Sequence, residues 1–460
     1  MIIVTESAAA LKGFIAQTGL AKSASLMVLR VALAFMGHRG RMSCSQSAVS
    51  VTSDTVHRGE LTRFLARPCR RKRDDNGVLR ALLLAKESKR GEFYFLIDAT
   101  LVSQAGKKTQ NTFSTNNHNR GRRTKFTRYG KKKITYKKCH SFTFGLLLTP
   151  SGLRIPFQIP HYTKEYCSLQ GLAHRTTAEA AAELIRTLPL PAGAQVTVIG
   201  DTAYDAKVVQ EACAERDYHW LMPANPERVF QGTPLPEAAG QRLKLRSRLK
   251  DWTSLSLQTI RLRASTGKYA GYRRLSKWRS GPTQKARVYY AHQEKQEVRR
   301  VGCVLLVFST MKPNLTAATP DDVKILMTNA THLSMRDVIE LYSLRWQIEL
   351  FFKELKSTLG FDQYRFQAFA AVETWAEIAV TTVLFLEQLR AQRMQNLRLS
   401  TERREWWSRQ RLHGLCAAFR QECAGKELQY MAERLKTRSG ITKLKRLLTA
   451  ATPPEFRITT

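Results

Sequence analysis

Acidic residues are scarce in this 460-residue chain, which has 37 Asp and Glu against 75 Lys and Arg and a formal net charge of +38. No acidic residue at all lies between Asp98 and Glu165. A protein this basic repels itself unless a polyanion neutralises it, so nucleic acid is the leading partner. The apolar fraction of 43% is typical of globular chains and argues against wholesale disorder. The length predicts several domains and argues against a small packing protein of the histone type.

Long hydrophobic runs and paired cysteines are also absent. The best apolar stretches, Leu26–Met36 and Ile378–Leu386, fall short of the ~18 uncharged residues of a spanning helix, so we expect no membrane partner. The N-terminus lacks the basic start of a signal peptide. The eight cysteines include no Cys-x-x-Cys pair and no His at zinc-ligand spacing, which predicts reduced thiols in a cytoplasmic protein.

Residues 1–90 are predicted to be helical. Apolar periodicity indicates one helix around Leu26–Phe35 and two shorter ones at Ser45–Val51 and Arg58–Ala66, followed by the basic run Arg67–Arg73. Short helices with a basic edge are typical of a DNA-binding region. A packing domain followed by a solvated basic linker is the alternative.

An α/β pattern begins at Phe93. Two apolar runs stop at an acidic residue, the first at Asp98 and the second at Asp201. Between and after them the sequence predicts strands at Ser141–Thr149, Leu153–Ile159 and Tyr218–Met222, and helices at Thr177–Leu188 and Ala206–Arg216. Three strands, a helix, and then strand, helix and strand is the order of an RNase H-like sheet. The predicted fold class is therefore α/β, with an RNase H-like catalytic core that begins at residues 91–225.

Residues 226–330 break this alternation and predict a β-rich insertion, with short strands at 254–264, 287–291 and 302–309. The core resumes over residues 331–372 with one long helix from Ser334 to Leu359. Ser334 and Asp337 resemble a capping box, and Gly360 stands where a glycine ends a helix. Residues 373–460 are predicted to be a helical C-terminal region that serves dimerisation or DNA contact.

The long helix carries a phenol, two cations and one acid on one face. At about 100° per residue, Tyr342, Arg345, Glu349 and Lys356 fall within a band of about 60°. Taken alone, such a stripe usually consists of solvent-exposed side chains, and each charged pair stabilises the helix only slightly.

The two strand-end aspartates change that assessment. A carboxylate at the end of a buried strand is costly unless it binds a cation or a hydrogen-bond donor. Three carboxylates, Asp98, Asp201 and Glu349, can converge at one edge of the sheet and would then repel each other. An all-oxygen set without His or Cys suits two Mg²⁺ or Mn²⁺ ions and phosphoryl transfer.

The same residues carry a resemblance. Tyr342-x2-Arg345-x3-Glu349-x6-Lys356 matches the Y-x2-R-x3-E-x6-K signature of the DDE transposases of bacterial insertion sequences, of the insertion-sequence family four type. The stretches Arg345–Lys353 and Asp201–Asp205 are also similar to that family. The resemblance covers roughly residues 93–367. It implies an RNase H-like core with a β-rich insert between the second Asp and the Glu.

By this resemblance Asp98, Asp201 and Glu349 are the catalytic, metal-binding triad, and two Mg²⁺ (or Mn²⁺) ions are the cofactors. Tyr342, Arg345 and Lys356 would hold DNA phosphates, Arg345 as a bidentate clamp. Asp205 is a rival for the second acid, but its place near a helix start favours a dipole-stabilising role.

A basic segment, residues 107–138, contains twelve Lys or Arg with interleaved aromatic residues, which favours contact with the DNA backbone. A mobile basic loop without a specific contact is the alternative. The candidate DNA contacts in this segment are Arg122, Arg123, Lys131, Lys132 and Lys133. In the insertion, Trp252 and Trp278 are candidates for stacking on an extruded base, although a tryptophan in a β-domain is more often part of the core.

The sequence therefore predicts a cut-and-paste DNA transposase. Its expected partners are double-stranded DNA, as transposon-end inverted repeats and target, and a second copy of itself in a homodimer or larger assembly. We expect it in the bacterial cytoplasm, associated with the nucleoid when it is bound to DNA. A metal-dependent nuclease or resolvase without strand transfer, and a transposase-derived DNA-binding protein, are the alternatives.

Overall fold

A computed structural model of the chain describes residues 8–37, 58–67, 75–88, 91–104, 106, 108–116, 136–225, 227–231, 243–245, 257–262, 287–312 and 322–442. Within them the fold is mixed α/β, with one twelve-stranded sheet flanked by helices. The candidate helix at Ser45–Val51 lies outside these residues, as do nearly all of the basic run at 67–73, most of the basic segment, Trp252 and Trp278.

The first half of the sheet contains the strands that carry the two aspartates. Strand β1 pairs antiparallel with β3 and parallel with β5, β5 pairs parallel with β6, and β3 also pairs with β2 and β4. The bounds are β1 Glu92–Gln104, β2 Phe113–Asn116, β3 Tyr136–Leu148, β4 Arg154–Pro160, β5 Gln195–Ile199 and β6 His219–Pro223. Strands β1, β3, β4, β5 and β6 overlap the apolar runs that predict them, whereas β2 lies in the basic segment and was not predicted.

The predicted insertion continues the same sheet. Its strands are β7 Val229–Gln231, β8 Leu243–Lys244, β9 Gln258–Leu262, β10 Arg287–Val298, β11 Gly302–Thr310 and β12 Lys324–Thr328. Strand β12 pairs antiparallel with β6 and with β11, and β11 pairs with β10. Because β12 leads directly into the next helix, the insertion returns the chain to the core beside β6.

The helices are α1 Ala9–Ala16, α2 Lys22–Gly37, α3 Arg58–Leu65, α4 Asp75–Leu84, α5 Lys164–Gln170, α6 Thr177–Arg186, α7 Lys207–Glu215, α8 Met335–Ser343, α9 Trp346–Ser357, α10 Phe369–Gln395, α11 Thr401–Ser408 and α12 Leu412–Arg434. The helices predicted at Leu26–Phe35 and Arg58–Ala66 correspond to α2 and α3. Two short 3₁₀ helices lie at Thr202–Tyr204 and Phe361–Gln363.

The N-terminal and C-terminal helices share one core around α10. The ring of Phe35 lies 4.6 Å from that of Trp375, and Phe14 lies 5.7 Å from Phe385. Among the described helices, α10 alone is long and apolar enough to cross a membrane by length and composition, but 89% of its most apolar window is buried inside the protein. In the sequence only its Ile378–Leu386 part forms an uncharged apolar run, because Glu377 and Glu387 flank that part. Burial of this kind is what a core helix shows.

Close packing of the sheet near Asp98 gives a first prediction, about Gly145 on β3. A methyl group at this position would overlap the ring of Phe95, which is fully buried and packs edge-on against Phe157 at 5.7 Å. Overpacking of this kind typically costs about 1–3 kcal/mol, so Gly145→Ala should lower the unfolding midpoint in thermal denaturation. In the control Gly13→Ala, the added methyl in α1 meets no atom within 4 Å. Because alanine is the better helix former, this control should leave the midpoint unchanged or raise it. Equal midpoints for the two variants would contradict the packing at Gly145.

Candidate active site

The register between β1 and β5 places Asp98 beside Asp201. Leu96 pairs with Ile199, so the two aspartates follow at the same level, two residues further along each chain. Strand β5 ends there, and Asp201 caps the short 3₁₀ helix by accepting a hydrogen bond of 2.9 Å from the Ala203 N–H. The sequence predicts that the first strand ends at Asp98. In the structure β1 continues to Gln104, because β3 still pairs with it on the other side.

Asp98 is partly buried among charges of its own sign. The pKa of its carboxyl group is raised to about 6, chiefly by burial, and the nearby charges of Asp201 and Glu349 act in the same direction. The Ala99 N–H, which donates to Oδ1 at 2.8 Å, and the cation of Arg345 act in the opposite direction. The three acids singled out by the sequence therefore lie within electrostatic reach of one another.

The helix that carries Glu349 is interrupted, in contrast to the single long helix predicted from the sequence. Helix α8 ends at Ser343 and α9 begins at Trp346. Between them the N–H groups of Leu344, Arg345 and Ile348 bond to carbonyls three residues back, which is the tighter 3₁₀ pattern. The predicted ends are present, namely the Ser334–Asp337 capping box and a left-handed Gly360 with φ of +67°.

Arg345 links the helix to β1. Its Nη2 lies 2.5 Å from Glu349 Oε1, and its Nη1 lies 3.5 Å from Asp98 Oδ2. The guanidinium carbon is 5.8 Å from the centre of the Tyr342 ring. Burial raises the pKa of the Tyr342 phenol, and the charges of Asp201 and Glu349 act in the same direction. The structure thus brings Tyr342, Arg345 and Glu349 together with both aspartates.

Lys356 points elsewhere. Its Nζ donates a hydrogen bond of 2.9 Å to the carbonyl oxygen of Leu101, three residues beyond Asp98 on β1. A single continuous helix would have kept it in one band with Arg345 and Glu349, whereas here its ammonium group braces the extended end of β1. Its predicted contact with phosphate is untested by this arrangement.

Lys324, at the start of β12, is a site residue that the sequence analysis missed. Its Nζ lies 4.9 Å from the centre of the Tyr342 ring. Partial burial lowers the pKa of this ammonium group, and the cation of Arg345 lowers it further, whereas Glu349 and Asp201 raise it. The only signal in the sequence was a lysine that opens an otherwise apolar strand, and that pattern is too common to single out.

A cavity of about 550 Å³ opens beside these residues, between the insertion and the start of α9. Its lining includes four cations, one carboxylate and three aromatic rings, namely Arg287, Lys312, Lys324, Arg345, Asp322, Tyr289, Tyr342 and Trp346. Trp346 is exposed over 52% of its surface. Positive charge interleaved with rings suits a nucleic-acid strand, whose phosphates and bases need these two kinds of contact.

Asp205, the alternative to Asp201 as the second acid, forms an ion pair and hydrogen bonds with other residues. Arg228 approaches its carboxylate with Nη2 at 2.6 Å and Nε at 2.8 Å, while Gln210 and the Asn225 N–H each donate at 2.9 Å. The dipole-stabilising role expected from the sequence is replaced by this clamp, which ties the loop before α7 to the start of the insertion. The carboxylate is wholly buried in the clamp, so Asp201 is the better candidate for the second acid.

A buried set of charges anchors α9. Arg154 on β4 lies 3.4 Å from Glu354 on α9 and 3.3 Å from Glu387 on α10. Glu387 also pairs with the fully buried Arg390, and Arg411 approaches Glu354 at 3.6 Å. Removing one member would leave an uncompensated buried charge, which is strongly destabilising. The network therefore fixes the helix that carries Glu349 against β4 and α10.

The donor set suits a hard divalent cation, since it consists of carboxylate oxygens that repel one another. Among the residues that the structure describes, no three His, Cys, Asp or Glu side chains are close enough to form a metal cage. Arg345 supplies positive charge between Asp98 and Glu349 instead. The chemistry of the acids fits Mg²⁺ or Mn²⁺, and closing them around an ion requires Arg345 to move.

The raised pKa of Asp98 predicts a pH-dependent stability difference. Its folded pKa of about 6 lies above the ordinary value of 3.8, so the ionised form destabilises the fold, and stability is lost as the pH rises between about 4 and 6. Asp98→Asn should therefore leave the unfolding midpoint nearly unchanged at pH 4. It should raise the midpoint above pH 6.5, by the equivalent of roughly 1–3 kcal/mol. Thermal denaturation in EDTA tests this, and a difference that does not vary with pH would contradict it.

The family model described as the transposase DDE domain matches residues 161–386, a stretch that contains Asp201, Lys324, Tyr342, Arg345, Glu349 and Lys356 and begins after Asp98. No curated protein matches the chain. Transposases act on DNA, and DDE domains generally use divalent metal ions. This part of the chain is therefore similar to a transposase DDE domain.

Proposed function

We propose that the protein is a cut-and-paste transposase that cleaves DNA at the ends of an insertion sequence and joins them to a target. The observation that carries this proposal is the pairing of Asp98 and Glu349 with one guanidinium group, with Asp201 within electrostatic reach of Asp98. Acids so placed can bind divalent cations once the charge of Arg345 is withdrawn. The Tyr342, Arg345, Glu349 and Lys356 signature supports the finer assignment to insertion-sequence family four.

The strand order supports an RNase H-like core. Strands β4, β3, β1, β5 and β6 lie side by side in that order, with β1, β5 and β6 parallel and β3 antiparallel to β1. The first acid then lies on the central strand, the second at the end of its parallel neighbour, and the third on a helix that returns to the same edge. The insertion fits between the second and third acids without separating them.

Asp98, Asp201 and Glu349 would hold two Mg²⁺ or Mn²⁺ ions, which when bound supply activation of a water or 3′-hydroxyl and stabilisation of the leaving oxygen. The protein's own groups bind and orient the DNA. Arg345 offers a planar fork for a phosphate, and Tyr342 braces that fork. Lys324 would add a second positive charge on the same wall of the cavity.

The partners of this reaction are proposed as double-stranded DNA, in the form of transposon ends and target, and a second copy of the chain. The net charge of +38 supports extensive contact with phosphates. Arg122, Arg123, Lys131, Lys132 and Lys133 in the basic segment are predicted to add to it. A cytoplasmic, nucleoid-associated location follows from the same proposal.

Substitution of the triad tests the function. Asp98→Ala, Asp201→Ala and Glu349→Ala should each abolish cleavage and strand transfer on DNA carrying the inverted repeats that flank the reading frame. End binding should persist, because removing a carboxylate reduces repulsion of the DNA. Single-turnover cleavage and a strand-transfer assay with pre-cut ends provide the two readings. Cleavage without strand transfer in the unmodified protein would favour the nuclease alternative, and full activity of Asp201→Ala would refute the assignment of the second acid.

Lys324 tests whether the cavity meets the substrate. Loss of a charge-assisted contact costs roughly 1.5–3 kcal/mol, so Lys324→Met should weaken single-turnover cleavage by about 10–150-fold without abolishing it. The matched control is Lys207→Met, since Lys207 is an exposed lysine on α7 that pairs with Glu211 at 3.0 Å and does not line the cavity. If both variants cleave at the unmodified rate, the cavity wall does not contact the DNA.

A further inference from the structure

Arg345 uses the two ends of one guanidinium group on two different acids of the triad. From this geometry we propose that Arg345 competes with the divalent cation for Asp98 and Glu349, and that a DNA phosphate releases it. Metal and DNA then strengthen each other's binding. The inference rests on the proposed function and adds to it an order of assembly that the signature does not describe.

The competition follows from the contacts. Arg345 Nη2 is 2.5 Å from Glu349 Oε1, and Nη1 is 3.5 Å from Asp98 Oδ2. A cation held jointly by these carboxylates needs oxygen atoms that now face the guanidinium group. Lys324 adds a second positive charge nearby, within the electrostatic reach of both Arg345 and Glu349. Without DNA, the site is therefore already partly neutralised by the protein itself.

The release follows from the cavity. Arg345 lines the cavity together with Tyr342 and Lys324. Rotation about the side-chain bonds of Arg345 therefore turns its guanidinium group from the carboxylates to the cavity. A phosphate bound there offers the guanidinium group a bidentate anionic partner in place of the two carboxylates that it leaves. The acids are then free for the cation at the moment the DNA strand is in place.

The coupling must be reciprocal. If DNA raises the affinity for metal by some factor, metal raises the affinity for DNA by the same factor. Replacing Arg345 by a neutral residue removes the competitor, so metal binding no longer depends on DNA to the same degree. This gives a measurable signature other than the activity of the loaded enzyme.

The experiment is a titration of the full-length protein with Mn²⁺, in which free Mn²⁺ is measured by electron paramagnetic resonance. Without DNA, Arg345→Gln should bind Mn²⁺ about tenfold more tightly than the unmodified protein, because a charge-assisted contact of this kind is worth that factor or more. The matched control is Arg336→Gln. Arg336 pairs with Glu340 at 3.1 Å, also four residues apart, on α8. This control should change the affinity by less than twofold.

Lys324→Met separates direct competition from a general effect of positive charge. It removes a cation beside the site that has no ion pair with Asp98 or Glu349 among the contacts of the structure, so it should tighten Mn²⁺ binding much less than Arg345→Gln. Equal tightening by the two variants would overturn the proposal, as would an unchanged or weaker affinity of Arg345→Gln.

Addition of a duplex carrying the inverted repeat completes the test. DNA should tighten Mn²⁺ binding to the unmodified protein severalfold and have a smaller effect on Arg345→Gln. If DNA tightened Mn²⁺ binding equally in the unmodified protein and in Arg345→Gln, the proposed release of Arg345 by a DNA phosphate would be wrong. Failure of the proposed function looks different, because then the unmodified protein would bind no Mn²⁺ even with DNA, and Glu349→Gln would change nothing.

Discussion

A partly buried carboxylate, Asp98, that lies near two other acids is the constraint on which this active site depends. Asp98 is partly buried at the point where β5 leaves the sheet, and Asp201 and Glu349 both act to keep it from ionising. Such an arrangement lowers stability unless a cation compensates it, and in this structure Arg345 does so only in part. Proteins keep strain of this kind at functional sites, where the binding of a ligand relieves it. The acids are therefore placed for a ligand stronger than the guanidinium group.

Contacts in several parts of the fold hold the three acids in position. Parallel pairing of β1 and β5 sets the two aspartates level. The buried contacts of Arg154 with Glu354 and Glu387 fix α9, and the Asp205 clamp fixes the start of the insertion. Because β12 pairs with β6, the insertion brings Lys324 to the same edge. Each of these contacts lies outside the acids yet determines where the acids meet.

Much of this site follows from the sequence, since each aspartate closes an apolar run and the cap and stop signals of the α8–α9 segment are strong. Helical periodicity also gave the right neighbours for Arg345 and Glu349, which are one turn apart. The same periodicity did not predict the contact of Lys356. A 3₁₀ turn at Leu344 and Arg345 interrupts the helix, and the Lys356 ammonium group donates a hydrogen bond to β1.

Other features depend on contacts between distant parts of the chain. No local pattern shows that β12 lies beside β6 or that Lys324 stands over Tyr342. The role of Asp205 was mistaken for the same reason. Its position before α7 is visible in the sequence, whereas its partner Arg228 is reached only after the chain has passed through β6. Local spacing predicted which residues matter, and tertiary pairing decided what each one touches.

Anomalous diffraction from crystals grown with Mn²⁺ and a duplex carrying the inverted repeat tests the central claim most directly. We predict Mn²⁺ signal in contact with the carboxylates of Asp98, Asp201 and Glu349, with the guanidinium group of Arg345 turned away onto a DNA phosphate. Asp205 should keep its pairing with Arg228. Mn²⁺ bound by Asp205 in place of Asp201, or DNA bound with no metal at the three acids, would contradict the account.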